Sequence, residues 1–350
     1  MRNPERRRKR ESRYDGGMGR AACALTLGLW ASLGAAGCSS GQTAGPDDAG
    51  PVAAPDAGAD LATPPPPPTA SGCIDDVTAG DHVYTCSGLR VDARIPSACL
   101  APGCGLIVEL HGDTGTGLLM DGHTNLRALG EQNGYVVIAP TGPPFGGGYP
   151  GSTWTSAEDA KLLAMTRLFT SVFRIDEKRV HLTGFSRGGF VTWRLLCDAS
   201  DLFASFAPAA AGEGSGFSEV TCFSGGRVPK RRADVLFLLG RTDMSVPYPT
   251  MTSIRDAAIT QYGGGNMQVL TGDANYTHNR WTNAQGVVIE TFDHAYETVS
   301  NGPFGYARGH CFPGSKSDPY APQYAVPCKA PSAFTWGDEV MKFFLAHPMK

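Results

Sequence analysis

Between residues 179 and 196 the chain reads RVHLTGFSRGGFVTWRLL, an apolar run that passes through Gly-Phe-Ser-Arg-Gly directly into a helical pattern. That order is restrictive. A short continuous apolar run suits a strand buried on both faces of a parallel sheet. A serine between two glycines at a sharp strand-to-helix turn projects its hydroxyl from the edge of that sheet. Further runs of the same kind are GLIVEL (105–110), YVVIAP (135–140), DVLFLLG (234–240) and VVIETF (287–292). Helical patterns lie between them. Ser156 and Asp159 are placed as a capping box before KLLAMTRLFTSVF, a helix is predicted over 187–198, and WGDEVMKFFLAH presents Trp336, Val340, Phe343 and Phe344 on a packing face. HVYTC and LRVDARI around Ser87 and Gly88 predict an entry hairpin. Strands alternating with helices predict an α/β protein, a three-layer sandwich with a mostly parallel central sheet.

The chain ends of this pattern are set apart by composition. Residues 21–36, AACALTLGLWASLGAA, follow arginines and precede Gly37 and Cys38, the architecture of a secretory signal and too short for a comfortable transmembrane helix. The ending LGAAGC resembles a bacterial lipobox, which implies cleavage before Cys38 and a lipid anchor on its thiol in an envelope membrane. A plain cleaved signal peptide is the alternative. Met18 offers a second start that opens a more compact signal without the basic run at 6–10. Residues 1–37 are therefore read as signal and 38–72 as linker, since residues 39–72 hold 8 Pro, 8 Ala and 5 Gly and include PPPPP at 64–68. Such a stretch has too few large apolar groups to offset the entropy of ordering. Residues 73–350 are read as a single catalytic domain, within the usual size range.

Eight cysteines stand in that domain, at 73, 86, 99, 104, 197, 222, 311 and 328. An even number outside the cytoplasm is read as four disulfides, most simply paired in sequence. Zinc is not expected, since CxxC spacing is absent. The formal net charge is −3, but residues 1–37 carry eight basic and three acidic groups, leaving the remainder at −8. A nucleic-acid partner, which needs a basic face, is therefore not expected.

In the α/β-hydrolase order, a nucleophilic serine is followed by an acid and then a histidine. Ser186 is the candidate nucleophile, and Asp243, three residues after the end of DVLFLLG, the candidate acid. His278, His294 and His310 are the candidate bases; His310, in the Gly-flanked loop GYARGHCFPG, is preferred and His294 is second. The amide of Arg187 and an amide at Asp113 or Thr114, in the loop LHGDTGTG, are the candidate oxyanion donors. His111 is placed as a support for that loop. The stretch 142–154 reads as a mobile loop beside the acyl or alcohol site, with Phe145, Tyr149 and Trp154 as stacking surfaces or, equally, as anchors of the loop.

These segments resemble the secreted polyhydroxybutyrate depolymerase and feruloyl or acetylxylan esterase group of α/β hydrolases. The resemblance spans residues 105–346. It is carried by LHGDTGTG, by Trp154 to Asp159, by FRIDEKRVHLTGFSRGGFVTWRLLCDASDLFASFAP, by GRTDMSVPY and by GHCFPG. Within it, Asp176 and Arg179 precede the elbow strand, and Phe203, Ala204 and Pro208 match an FAxxxP pattern. The resemblance implies Ser186, Asp243 and His310 as the triad, a structural role for Asp159, no metal or organic cofactor, and an ester-bearing polymer or small ester as substrate. Two departures concern substrate class: Leu239-Gly240 stands where the group has His-Gly, and Phe312-Pro313 where it has Trp-Pro. Two other readings are a serine peptidase or acyl-peptidase on the same fold, and a catalytically silent glycan-binding envelope protein.

Overall fold

The computed structural model describes residues 66–146, 151–213, 221–223, 226–298, 308–315, 327–329 and 331–350. The signal, Cys38, most of the linker and Tyr149 lie outside these residues.

Among the described residues ten strands form one sheet: β1 (Gly80–Cys86), β2 (Leu89–Ile95), β3 (Gly105–Leu110), β4 (Tyr135–Thr141), β5 (Val180–Phe185), β6 (Ser205–Ala209), β7 (Asp234–Gly240), β8 (Asn266–Gly272), β9 (Tyr276–Thr282) and β10 (Val288–His294). Their spatial order is β1-β2-β4-β3-β5-β6-β7-β10-β9-β8. The six strands from β4 to β10 are mutually parallel, and antiparallel pairs close both edges. Every residue of β3, β5, β6, β7 and β10 is buried, which is why these runs lack a polar alternation. The entry hairpin forms as expected, with Ser87 (φ 53°) and Gly88 (φ 80°) both left-handed, the backbone that a tight two-residue hairpin turn requires.

Among the described residues six α-helices cover the sheet: α1 (Gly117–Thr124), α2 (Leu126–Asn133), α3 (Asp159–Val172), α4 (Arg187–Asp198), α5 (Tyr248–Gln261) and α6 (Trp336–Ala346). Met120, Leu126, Val340, Phe343 and Phe344 from α1, α2 and α6 pack on one face. Leu162, Phe169, Trp193, Met251 and Ile254 from α3, α4 and α5 pack on the other. The result is the three-layer sandwich expected of α/β folds.

Three details differ from the sequence reading. The capping box belongs to Thr155 and Glu158 rather than to Ser156 and Asp159: Glu158 Oε2 accepts from the Thr155 N–H at 3.0 Å, on a single 3-10 turn that leads into α3. Asp159 instead receives both Nε (2.6 Å) and Nη2 (2.8 Å) of buried Arg194, tying α3 to α4. Strands β8 and β9 were not foreseen, because β8 is exposed along its whole length and β9 carries His278, Asn279 and Arg280.

The four disulfides join Cys73 to Cys86, Cys99 to Cys104, Cys197 to Cys222 and Cys311 to Cys328. Each of these eight cysteines bonds to a sequence neighbour among them.

Candidate active site

The site is assembled where the parallel strands end. Ser186 sits between β5 and α4 with φ 53° and ψ −117°, a conformation an L-residue adopts only under constraint from its surroundings. The constraint is visible on both sides. A side chain at Gly184 would meet the Gly188 carbonyl oxygen at 2.3 Å, and one at Gly188 would meet the Leu110 oxygen at 2.2 Å. The Ser186 N–H donates to Ala209 O at 2.9 Å, fixing the elbow against β6. Ser186 is half-buried within an otherwise buried strand-to-helix junction.

Asp243 follows β7 by three residues. Its Oδ1 accepts the N–H groups of Ser245 and Val246, both at 2.8 Å, and its Oδ2 faces His310 Nδ1 at 2.7 Å. Two backbone donors hold the carboxylate so that its remaining oxygen orients the imidazole. The loop before His310 is drawn in tightly: a side chain at Gly240 would meet Gly309 O at 2.3 Å. The His310 ring rests on Phe185 at 4.7 Å between centroids, and Phe185 stands one residue before Ser186. The serine hydroxyl has no hydrogen bond among the described residues; serine–histidine contacts tighten around bound substrate.

His294 and His278 are placed elsewhere. His294 ends β10, is buried, and its Nδ1 has no hydrogen-bond partner among the described residues; burial, with Arg241 and His310 nearby, pushes its pKa down to about 3. His278 bonds Glu290 at 2.6 Å and stacks on Phe292. His294 also lies near Cys311 and Cys328, but both sulfurs belong to a disulfide and offer no thiolate to a metal.

On the other side of Ser186 runs the loop after β3. A side chain at Gly112 would approach Ser186 Cβ to 3.1 Å, so this loop lies directly against the serine. Of the two candidate amides, Thr114 N–H already donates to Ser152 O at 2.8 Å, whereas Asp113 N–H has no acceptor among the described residues. Of the two alternatives, the hydrogen bonding favours Asp113 over Thr114. Arg187 opens α4, where the first amides lack intrahelical acceptors. His111 is buried beneath the loop; its ring nitrogens meet Gly112 O at 2.7 Å and the Gly142 N–H at 3.0 Å. Accepting from Gly142 requires a neutral ring, and burial depresses the His111 pKa to about 4.

The stretch 142–154 is laced to this loop. Thr114 bonds to Ser152, His111 to Gly142, and Trp154 Nε1 donates to His111 O at 3.0 Å. Trp154 is fully buried and belongs to the scaffold, which favours the loop-anchor alternative over the stacking surface. Phe145 is half-buried at the start of the stretch. Phe312, at the position of the group's usual tryptophan, is buried between Phe185 (4.0 Å) and His123 (4.7 Å), so it supports the loop that carries His310.

The strand order, the serine turn and the serine, acid, histidine succession coincide in one chain. The fold is the α/β-hydrolase fold. Among curated proteins the chain is similar to acetylxylan esterase A of Aspergillus ficuum, 29% identical over 147 residues that cover 39% of this chain and 46% of that enzyme. It is also similar to poly(3-hydroxyalkanoate) depolymerase C of Paucimonas lemoignei, 27% identical over 213 residues, or 57% of this chain and 49% of the depolymerase. A bifunctional acetylxylan esterase/xylanase of Neocallimastix patriciarum shares 29% identity over 127 residues, 35% of this chain and 18% of that protein. The chain thus spans half or less of the length of these relatives. Among solved structures, acetyl xylan esterase from Aspergillus awamori superposes with a TM-score of 0.48 at 19% identity, covering 61% of this chain and 93% of that one. No family model matches the chain.

Proposed function

We propose that the chain is a serine-dependent carboxylic ester hydrolase that acts outside the cytoplasm. The observation that carries this reading is the His310–Asp243 pair, at 2.7 Å, whose imidazole packs on Phe185, the residue before a serine with a left-handed backbone at a strand-to-helix turn. In the proposed cycle His310, oriented by Asp243, takes the Ser186 proton as the hydroxyl attacks the ester carbonyl. The amides of Asp113 and Arg187 receive the oxyanion. His310 protonates the leaving alcohol, and water activated by the same ring hydrolyses the acyl-serine.

The relatives' names support acetyl esters on xylan or a polyhydroxyalkanoate polyester as substrate, and the family resemblance adds aromatic esters on a polysaccharide. A panel of acetylated xylan, hydroxycinnamoyl esters, short aliphatic esters and polyhydroxybutyrate ranks these, with Ser186→Ala as control. The expectation is hydrolysis of at least one ester by the native chain and none by the variant. Undiminished hydrolysis by folded S186A would remove the assignment. The export signal and four disulfides support an extracytoplasmic site, and the lipobox-like ending supports a lipid anchor at Cys38.

A further inference from the structure

Asp113 carries more than an amide. Its carboxylate is the meeting point of three chain segments that are distant in sequence. Arg187 Nε, from the residue after the serine, donates to Asp113 Oδ1 at 3.2 Å and Oδ2 at 3.3 Å. The hydroxyl of Thr153, from the stretch 142–154, donates to the same Oδ1. Both charged side chains are largely shielded, at 13% exposure for Arg187 and 17% for Asp113. The neighbouring Thr114–Ser152 bond and the Gly115–Ser152 bridge run parallel to this junction. The backbone of Asp113 is therefore pinned through its own side chain to the helix that bears Arg187 and to the loop that borders the site.

We propose that Asp113, Arg187 and Thr153 form a clasp that positions the Asp113 N–H for the oxyanion, with Arg187 also cancelling the carboxylate charge. Two physical points lead there. An oxyanion donor is effective only if its direction is fixed before the reaction, because reorientation during the reaction costs what the hydrogen bond returns. The Asp113 N–H has no acceptor of its own to orient it, so the direction comes from the side chain. A bare carboxylate one residue from a developing negative charge would oppose it, and the guanidinium at 3.2 Å neutralises that repulsion. Asp113 and Arg187 side chains and Thr153 are positioning residues in this account. The inference rests on the ester-hydrolase reading and extends it to side chains that touch no reacting atom.

The test measures kcat and KM on 4-nitrophenyl acetate, with melting temperature, for the native chain and for Asp113→Ala, Arg187→Ala, Arg187→Lys, Thr153→Val and the Asp113→Ala/Arg187→Ala double variant. Misplacing a catalytic group by about 1 Å costs on the order of 10²-fold in rate. The expected result is a kcat loss of about 10- to 100-fold in R187A, a smaller loss in T153V, and KM within about twofold in both. R187K recovers part of the loss. The double variant is no slower than R187A, because removing the carboxylate also removes the charge left unpaired. Full kcat in R187A and D113A with only a lowered melting temperature overturns the clasp, as do losses that multiply in the double variant. A native chain inert both to the ester and to a fluorophosphonate probe overturns the hydrolase reading instead, and the clasp with it. If D113A does not fold, R187K and T153V still decide the question.

Discussion

At the scale of single residues, three histidines occupy one region with different duties. His310 is held by Asp243, His111 is a neutral strut beneath the loop after β3, and His294 is buried with an Nδ1 that has no hydrogen-bond partner among the described residues. His310→Asn is expected to lower kcat by about 10⁴-fold or more, in line with loss of a general base from such a triad, whereas His294→Phe stays within a few-fold of native. Steady-state kinetics on any accepted ester checks both. His294 also makes a pH prediction. Its folded pKa lies below the usual histidine value, so the unfolded chain binds the extra proton first as pH falls. Stability present at neutral pH is therefore lost from about 6.5 downward until the folded pKa near 3 is reached. The slope from this group is at most about 1.4 kcal/mol per pH unit. His294→Phe should lose less stability than native between pH 7 and 5, read from urea midpoints. The three histidines could be named from sequence but ranked only by loop context, because which ring meets Asp243 depends on the fold of Gly309 against Gly240, a long-range contact.

Among the elements, the best-read parts were the buried strands and the serine turn. Their residues face apolar surroundings on both sides, so hydrophobicity alone marks them. Strand β6 lies within SFAPA, too short and alanine-rich to stand out, and β8 has no buried residue to signal its pairing. The helix start before α3 was misread by one residue because Thr155, Ser156, Glu158 and Asp159 offer two overlapping capping patterns. Asp159 was freed by that choice to bind Arg194. A bidentate pair this enclosed leaves a stranded charge when one partner is removed. Asp159→Asn should cost about 3 kcal/mol in stability while leaving kcat within a few-fold, since α3 supports the site only from behind. Denaturant unfolding alongside ester kinetics separates the two effects.

For the whole molecule, the disulfides divide into scaffold and site. Cys73–Cys86 and Cys99–Cys104 lie at the entry end of the chain, whereas Cys311 immediately follows His310 and is bonded to Cys328. The double variant Cys311→Ser/Cys328→Ser should lower kcat as well as stability, the latter by about 3 kcal/mol for a loop of this length. Cys73→Ser/Cys86→Ser should lower stability alone. Thermal melting and kcat measured on the same preparations check the contrast. The sequential pairing was the simplest reading of the spacings. The clasp at Asp113 was not legible, because Thr153, Asp113 and Arg187, on two loops and the start of α4, are brought together only by the folded path of the chain.

The neighbour-to-neighbour order of the four bridges also bears on biogenesis. If the chain is exported from its N-terminus, as proposed, the eight bonded cysteines emerge in their bonding order, Cys73 and Cys86 before Cys99 and Cys104, and so on to Cys328. Each thiol meets its native partner before any later cysteine has emerged. Oxidation can proceed vectorially, with little need for an isomerase to undo mismatched bridges, and the bond that steadies the histidine loop closes last.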